Sequence, residues 1–247
     1  MAAIHEYCRM GVPALKMILA ILLLAGTASA PGTYEMNSGL VAEWHFDGNA
    51  QDSSGNGNHG TVYGAKYVDG IKGDALFFDG MDNYFWAPVS DALNSVRSQG
   101  TVLAWVNFSD NYLIKENGIS CSPGSRSLTI WRFGTYSIKS HAYIDCAGRM
   151  QSGWRVDDLH TGQTTSNPMI RQKWTLVALA YDGNNVVQYI NGEKVNFAPL
   201  TGELNNSEGK FWIGRNGNEF FHMYFHGTID EVKIYNRALS GIDPLTY

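Results

Sequence analysis

Three groups of residues have the types and spacing to do chemistry. The first is an oxygen-rich loop, Asp52-Ser-Ser54-Gly-Asn56-Gly57. Hard oxygens at alternate positions followed by a turn glycine make the first half of a calcium-binding pattern. The second half is missing, because Tyr63 stands where an EF-hand carries its bidentate Glu. A calcium ion here therefore needs another carboxylate from elsewhere in the chain. The same residue types also build Asx-type turns with no metal at all. The second group centres on Asp230 in Gly227–Ser240, GTIDEVKIYNRALS. Strand alternation puts Thr228, Asp230, Val232 and Ile234 on one face and Ile229, Glu231, Lys233 and Tyr235 on the other. An ionised acid on such an apolar face needs a cation, several donors, or a salt bridge to Arg215 or Arg237. The third group lies in the irregular middle of the chain, residues 109–173. There Trp131, Tyr143 and Trp154 occur with Arg132, Arg155, Asp157 and Asp158. A ring against the apolar face of a pyranose, with polar groups for the hydroxyls, is the chemistry of carbohydrate binding. The competing fate of Trp131 and Trp154 is burial in the core.

Catalysis has a weaker footing. Retaining glycoside hydrolysis needs two carboxylates about 5 Å apart, and no compact Glu-x-Asp-x-x-Glu segment occurs. Asp230 and Glu231 are adjacent, so on a strand they point to opposite faces. Asp157-Asp158 is a like-charge pair in a loop, and the seven His form no Ser/His/Asp constellation legible in the sequence. No catalytic residue is assigned, and a non-enzymatic protein is expected.

The elements that would position these groups are almost all strands. Leu40–Phe46, Ala75–Phe78, Asn83–Trp86, Thr101–Phe108, Trp174–Tyr181 and Phe211–Ile213 are short apolar runs between polar turns. Val186–Ile190 and Lys194–Phe197 flank Asn191-Gly192, the dipeptide that tolerates the positive φ of a two-residue hairpin turn. Helical periodicity is confined to the neighbourhood of Asp91–Arg97. With 27 Gly among 247 residues, the pattern predicts an all-β sandwich or jelly roll. Trp44, Trp105 and Trp174 are assigned to its core. The aromatic run Phe220–Phe225 is expected to be an edge strand or a rim loop.

Residues 1–30 read as a signal peptide: Arg9 and Lys16, an apolar run Met17–Ala25, then Gly26-Thr-Ala-Ser-Ala30. The apolar run is too short to span a bilayer comfortably. Residues 31–38 read as a short linker and 39–247 as one domain. No membrane span is expected after signal cleavage, and a secreted or cell-surface location follows. Cys121 and Cys146 then remain as an even pair in an exported protein, and a disulfide is the simple reading. The formal net charge is −5, and no basic patch supplies the electrostatic footprint of a nucleic-acid binder.

The motifs Trp44-His-Phe-Asp-Gly48, Asp52–Gly60, Gly73-Asp-Ala-Leu-Phe-Phe-Asp-Gly80 and Thr101-Val-Leu-Ala-Trp105 open a collinear series. Trp174-Thr-Leu-Val-Ala178, Tyr189-Ile-Asn-Gly192, Ile213-Gly-Arg215 and Gly227–Ser240 complete it. In this order they resemble the LamG-like domains, the laminin G type of concanavalin A-like jelly roll, over nearly all of Gly39–Ser240. The resemblance implies two antiparallel sheets face to face, with first and last strands adjacent. It also implies a calcium ion near that edge, which makes Asp47, Asp52, the His59 carbonyl and Asp230 candidate ligands. A fold does not choose a function. The expectation is an exported, non-catalytic module that binds a carbohydrate or cell-surface glycan and holds a structural Ca2+. The alternatives are a protein-binding or adhesion module that takes an envelope protein, and a glycoside hydrolase with an unrecognised site.

Overall fold

A computed structural model describes residues 37–109, 128–134, 139–145, 147–157, 159–165, 167–217 and 223–247. The expected signal segment 1–30, most of the linker, both Cys121 and Cys146, Asp158, and Phe220–His222 lie outside the described residues. Gly39–Tyr247 forms one compact unit. Among the described residues, no helix is long and apolar enough to cross a membrane.

Among the described residues, sixteen strands make two antiparallel sheets, as the alternating runs and turn residues require. In chain order they are β1 (Leu40–Trp44), β2 (Thr61–Tyr63), β3 (Lys66–Asp69), β4 (Asp74–Asp79), β5 (Tyr84–Pro88), β6 (Gly100–Phe108), β7 (Leu128–Phe133) and β8 (Ser140–Ile144). They continue with β9 (Met150–Val156), β10 (Leu159–His160), β11 (Gln163–Thr164), β12 (Thr175–Tyr181), β13 (Asn185–Ile190), β14 (Glu193–Pro199), β15 (Lys210–Ile213) and β16 (His226–Tyr235). A single helical turn, α1 (Asp91–Asn94), is capped by the Ser90 side chain. Sheet A runs β14-β13-β12-β6-β16-β4-β3, with β1 also on β16; sheet B runs β10-β9-β8-β7-β15-β5-β2, with β11 on β9. First and last strands are thus neighbours, with Trp44 opposite Val232.

The core lies between the sheets. Trp44 stacks on Phe211 at 5.5 Å and meets Phe85 edge-on at 5.2 Å. Its indole N–H donates to the Asn58 carbonyl, which ties the polar loop to the core. The middle of the outer face of sheet A is also covered. Leu239 and Ile242 of the C-terminal segment pack with Leu103, Leu176, Ala178 and Tyr235, and Trp105 sits partly buried beside them. Trp105 thus lies on the outer side of the sheet and not in the main core, and Trp174 is only half-buried.

Strand β16 departs from simple alternation. Asp230 pairs with Trp105 but Lys233 pairs with Leu103, so one extra residue is inserted, and Glu231 has φ +46°. Such a bulge reverses which residues face inward. Ile229, Val232 and Ile234 all join the core, while Asp230, on the other side of Ile229, faces outward under the β3–β4 turn. The expected grouping of Asp230 with Val232 and Ile234 is therefore corrected: the bulge separates them.

Candidate functional site

The C-terminal segment covers the middle of the outer face of sheet A. On the outer face of sheet B, the end that carries Thr61, Tyr63 and Trp86 stays more open than Trp212, Arg132 and His141, which are buried. Phe85, Ala87, Phe211, Ile213, Trp131, Phe133 and Ala142 point into the core. Their strand neighbours therefore point out. The pairings align Thr61, Trp86, Trp212, Arg132, His141 and Gly153 in one row across six strands. At the normal strand spacing the five between Trp86 and Gly153 cover roughly 19 Å.

One end of this face is an aromatic tier laced with cations. Tyr63 and Tyr84 stack at 4.8 Å, and Tyr84 meets Trp212 edge-on at 5.6 Å. Lys210 Nζ sits 3.7 Å from the Trp86 ring centre and 5.0 Å from that of Trp212. The Arg215 guanidinium lies 5.0 Å from Tyr84, 5.3 Å from Trp212 and 5.8 Å from Tyr224. Each such contact stabilises a cation over a ring. Tyr63 keeps 53% of its surface exposed, whereas Trp212 keeps 6%.

The other end is built from imidazoles. His141 stacks between Tyr143 and His160, each ring centre 4.7 Å away, and His160 Nε2 lies 3.3 Å from His141 Nδ1. Gly153 permits this closure, since a Cβ there would stand 1.9 Å from the Thr161 carbonyl oxygen. Burial, then His160, then Arg132 push the His141 pKa down to about 3, so His141 is neutral near pH 7. Burial first, and then the Arg155 charge, lower that of His160. Arg132 donates to Asn216 Oδ1 at 2.6 Å. Tyr143 is raised by burial, against the opposing Arg132 charge and hydrogen bond.

Of the three expected ligand-binding aromatics, only Tyr143 lies on this face. Trp131 and Trp154 are 1% and 0% exposed and belong to the core. Their placement as sugar platforms is corrected, because neither ring has a free side to offer. Sequence reasoning missed Tyr63, Tyr84, Trp86 and Trp212. The available signal was parity: Lys210 shares an outward position with Trp212, and Tyr84 with Trp86.

The expected calcium ligands divide into two sets. Asp52 Oδ1 accepts from Glu43 N and Ser54 N, and Oδ2 from Asn58 N. His59 Nδ1 accepts from Asp52 N at 3.1 Å. Asp52 and the His59 ring thus hold the loop, and these bonds involve the His59 ring and not its carbonyl, the atom expected as a ligand. Asp47 and Asp230 instead converge on the β3–β4 turn. Asp47 Oδ1 accepts from Asp74 N at 2.8 Å. Asp230 Oδ2 accepts from Ile71 N at 2.9 Å and Lys72 N at 3.3 Å, and Oδ1 from Glu231 N. A Cβ at Gly70 would stand 2.4 Å from Asp230 Oδ2, and one at Gly73 2.0 Å from Asp47 Oδ1. Among the described contacts, backbone amides and not Arg215 or Arg237 satisfy Asp230. Burial raises its pKa to about 7, against the three amide donors and with help from the Glu231 charge.

A separate cluster joins β1 to β16. Glu43, His45 and Glu231 bring ligand-type atoms within 4.8 Å of one another. His45 Nδ1 lies 2.6 Å from Glu231 Oε1. Lys233 Nζ lies 2.9 Å from Glu43 Oε1 and 3.4 Å from Glu231 Oε2. A cation already sits among these carboxylates, so the group reads as an ion-pair network across the first and last strands.

A family model for the concanavalin A-like lectin/glucanase superfamily, of the laminin G type, matches residues 79–243. The chain belongs to this superfamily. No curated protein sequence matches it. Among solved structures it is similar to domain 4 of AbnA, an extracellular arabinanase from Geobacillus stearothermophilus solved with arabinotriose, at 21% identity and TM-score 0.61. That likeness covers 82% of this chain and 94% of the domain. It is also similar to the binding domain of Paraclostridial Mosquitocidal Protein 1, at 18% identity and TM-score 0.65, over 83% of this chain. The chain spans 51% of that structure's length. A Trypanosoma rangeli sialidase matches at 16% identity and TM-score 0.61, over 82% of this chain and 31% of the sialidase. At these identities the likeness shows a shared fold. In this superfamily member, β1 pairs with β16 inside sheet A, and the Trp86–His141 row crosses the outer face of sheet B.

Proposed function

We propose that the protein is an exported, non-catalytic carbohydrate-binding module that reads its ligand with the outer face of sheet B. The observation that carries this is the Tyr63–Tyr84 stack near the half-buried Trp86, backed by the buried Trp212 and flanked by the Lys210 and Arg215 N–H donors. Rings for sugar faces and donors for hydroxyls are what such a ligand needs. Support of a looser kind comes from the similar arabinanase domain solved with arabinotriose and from a similar botulinum neurotoxin binding domain solved with SialylT. The non-catalytic reading is supported by the strands of sheet B, none of which contains Asp or Glu, so this face has no strand position for a carboxylate pair. A glycan array with the purified chain tests the proposal. Binding that Tyr63→Ala weakens supports it, and no binding to any glycan sinks it.

We further propose a structural calcium ion beside the β3–β4 turn, held by Asp47 and Asp230 with backbone carbonyls. Two carboxylates aimed at one turn fit a hard cation, and a buried acid with a raised pKa gains most from one. The other two expected ligands, Asp52 and the His59 carbonyl, belong to the neighbouring loop, which the Asp52 carboxylate and the His59 ring also hold. Export remains a proposal resting on the segment before the fold, and mass spectrometry of the mature N-terminus tests it.

A further inference from the structure

We infer that the ligand of the sheet B face is an acidic glycan, one bearing carboxylate or sulfate groups. This rests on the carbohydrate-binding reading and goes further by naming the charge of the ligand.

The two sheets segregate charge. The strands of sheet A carry Glu43, Asp69, Asp74, Asp79, Glu193, Asp230 and Glu231, against Lys66, Lys194 and Lys233. The strands of sheet B carry Arg132, Arg155 and Lys210 and no acid; beyond the strand ends, Asp145 and Asp157 directly follow β8 and β9, and Arg215 stands two residues past β15. In a chain of net charge −5, the described strands of sheet B thus carry basic residues, which also have partners of their own, and no acidic ones. Such a face attracts anions and repels cations before any contact forms.

The contacts sharpen the choice. Lys210 lies over Trp86, and Arg215 lies over Trp212 and Tyr84. These cations occupy ring faces that a neutral pyranose would use. A neutral sugar must displace them and lose the cation–π attraction. An acidic sugar meets them where they are. Stacking holds the Arg215 guanidinium by its flat face, so its N–H edge can take a carboxylate or sulfate in two parallel bonds. Tyr63, more than half exposed, remains for ring stacking next to that pair. His141 adds no charge near neutral pH, being lowered to about 3. The positive character therefore comes from Arg and Lys and does not depend on histidine protonation.

The test is isothermal titration of the full chain with two matched pairs at low salt: polygalacturonate and its methyl ester, and dextran sulfate and dextran. A single-stranded oligonucleotide is the non-glycan polyanion. The expected result is binding to at least one acidic glycan about tenfold tighter than to its neutral partner. That preference should shrink several-fold at high salt. Preference for polygalacturonate identifies a carboxylate ligand, and preference for dextran sulfate a sulfate ligand. Arg215→Gln should remove most of the difference, and Lys210→Gln a smaller share; if the first fails to fold by circular dichroism, the second and the wild-type pairs decide. Equal binding within both pairs overturns this inference and leaves the carbohydrate reading standing. Binding to the oligonucleotide alone overturns both. Failure to bind these probes and every glycan on the array overturns the carbohydrate reading itself.

Discussion

Lys139 makes the sharpest physical prediction in the molecule. It is fully buried, its Nζ donates to the Val96 carbonyl at 2.9 Å and to Asn94 Oδ1 at 3.3 Å, and it lies 4.9 Å from the Phe133 ring centre. Among the described residues it has no carboxylate partner. Burial, and then the Arg97 charge, lower its pKa from 10.5 to about 7. Below pH 7 the ammonium is charged in both folded and unfolded chains, and the folded state carries the whole cost of burying it. Between pH 7 and 10.5 the unfolded chain holds the proton while the folded chain has released it. The unfolded state then binds more protons, so stability rises with pH through this window. The shift bounds that gain at about 5 kcal/mol. Lys139→Met keeps the length and removes the charge. Urea unfolding of both proteins at pH 6, 8 and 10 should show Met more stable by a few kcal/mol at pH 6. The advantage should vanish toward pH 10, where Met lacks the two hydrogen bonds, worth about 1 kcal/mol each. Other titrating groups cancel in the difference. A wild-type-minus-variant stability that stays flat from pH 6 to 10 would refute the reasoning.

Four other outcomes follow from the same structure. Trp154→Ala should cost roughly 3–5 kcal/mol in urea unfolding, as a fully buried ring does, whereas Tyr63→Ala should leave the midpoint nearly unchanged and weaken glycan binding several-fold. Lys233→Met strands the buried Glu231 beside His45 and should destabilise by roughly 3 kcal/mol, measured by the same unfolding curve; a neutral result would mean that His45 alone compensates Glu231. Asp230 is raised, so the folded state keeps a proton that the unfolded chain has lost between about pH 4 and 7, and metal-free stability should fall as pH rises through that window. Calcium should remove that fall and raise the melting temperature at pH 8, with Asp230→Asn insensitive to chelator. Asp52→Ala should destabilise by roughly 1–3 kcal/mol with or without calcium, since its three amide donors are left unpaired.

The frame of the fold was legible because its signals are local. Asn191 and Gly192 have φ of +49° and +82°, as the hairpin between β13 and β14 demands, and the Asn191 side chain accepts from Leu176 N as well. The apolar runs that became β6 and β12 sit in the middle of sheet A, where burial on both faces favours unbroken hydrophobic sequence. The site was harder to read because period-two alternation fails where it mattered. In β7 the register slips between Thr129 and Trp131, so Ile130, Trp131 and Phe133 all reach the core, and a simple alternation misplaces Trp131. In β5 the run Tyr84-Phe-Trp-Ala87 is apolar at every position, so its outward and inward rings look alike until β15 supplies the register. The same kind of insertion in β16 turns Asp230 away from Val232 and Ile234. A bulge is a one-residue event with no composition of its own, yet it decides which side of a sheet each later side chain occupies. Both bulges here lie within the elements that set the proposed sites, one beside the sheet B row and one beside the β3–β4 turn. Their register could be fixed only by the partner strands, which is why the sequence indicated a carbohydrate-binding sandwich while the rings proposed to read the sugar came from strands it had not singled out.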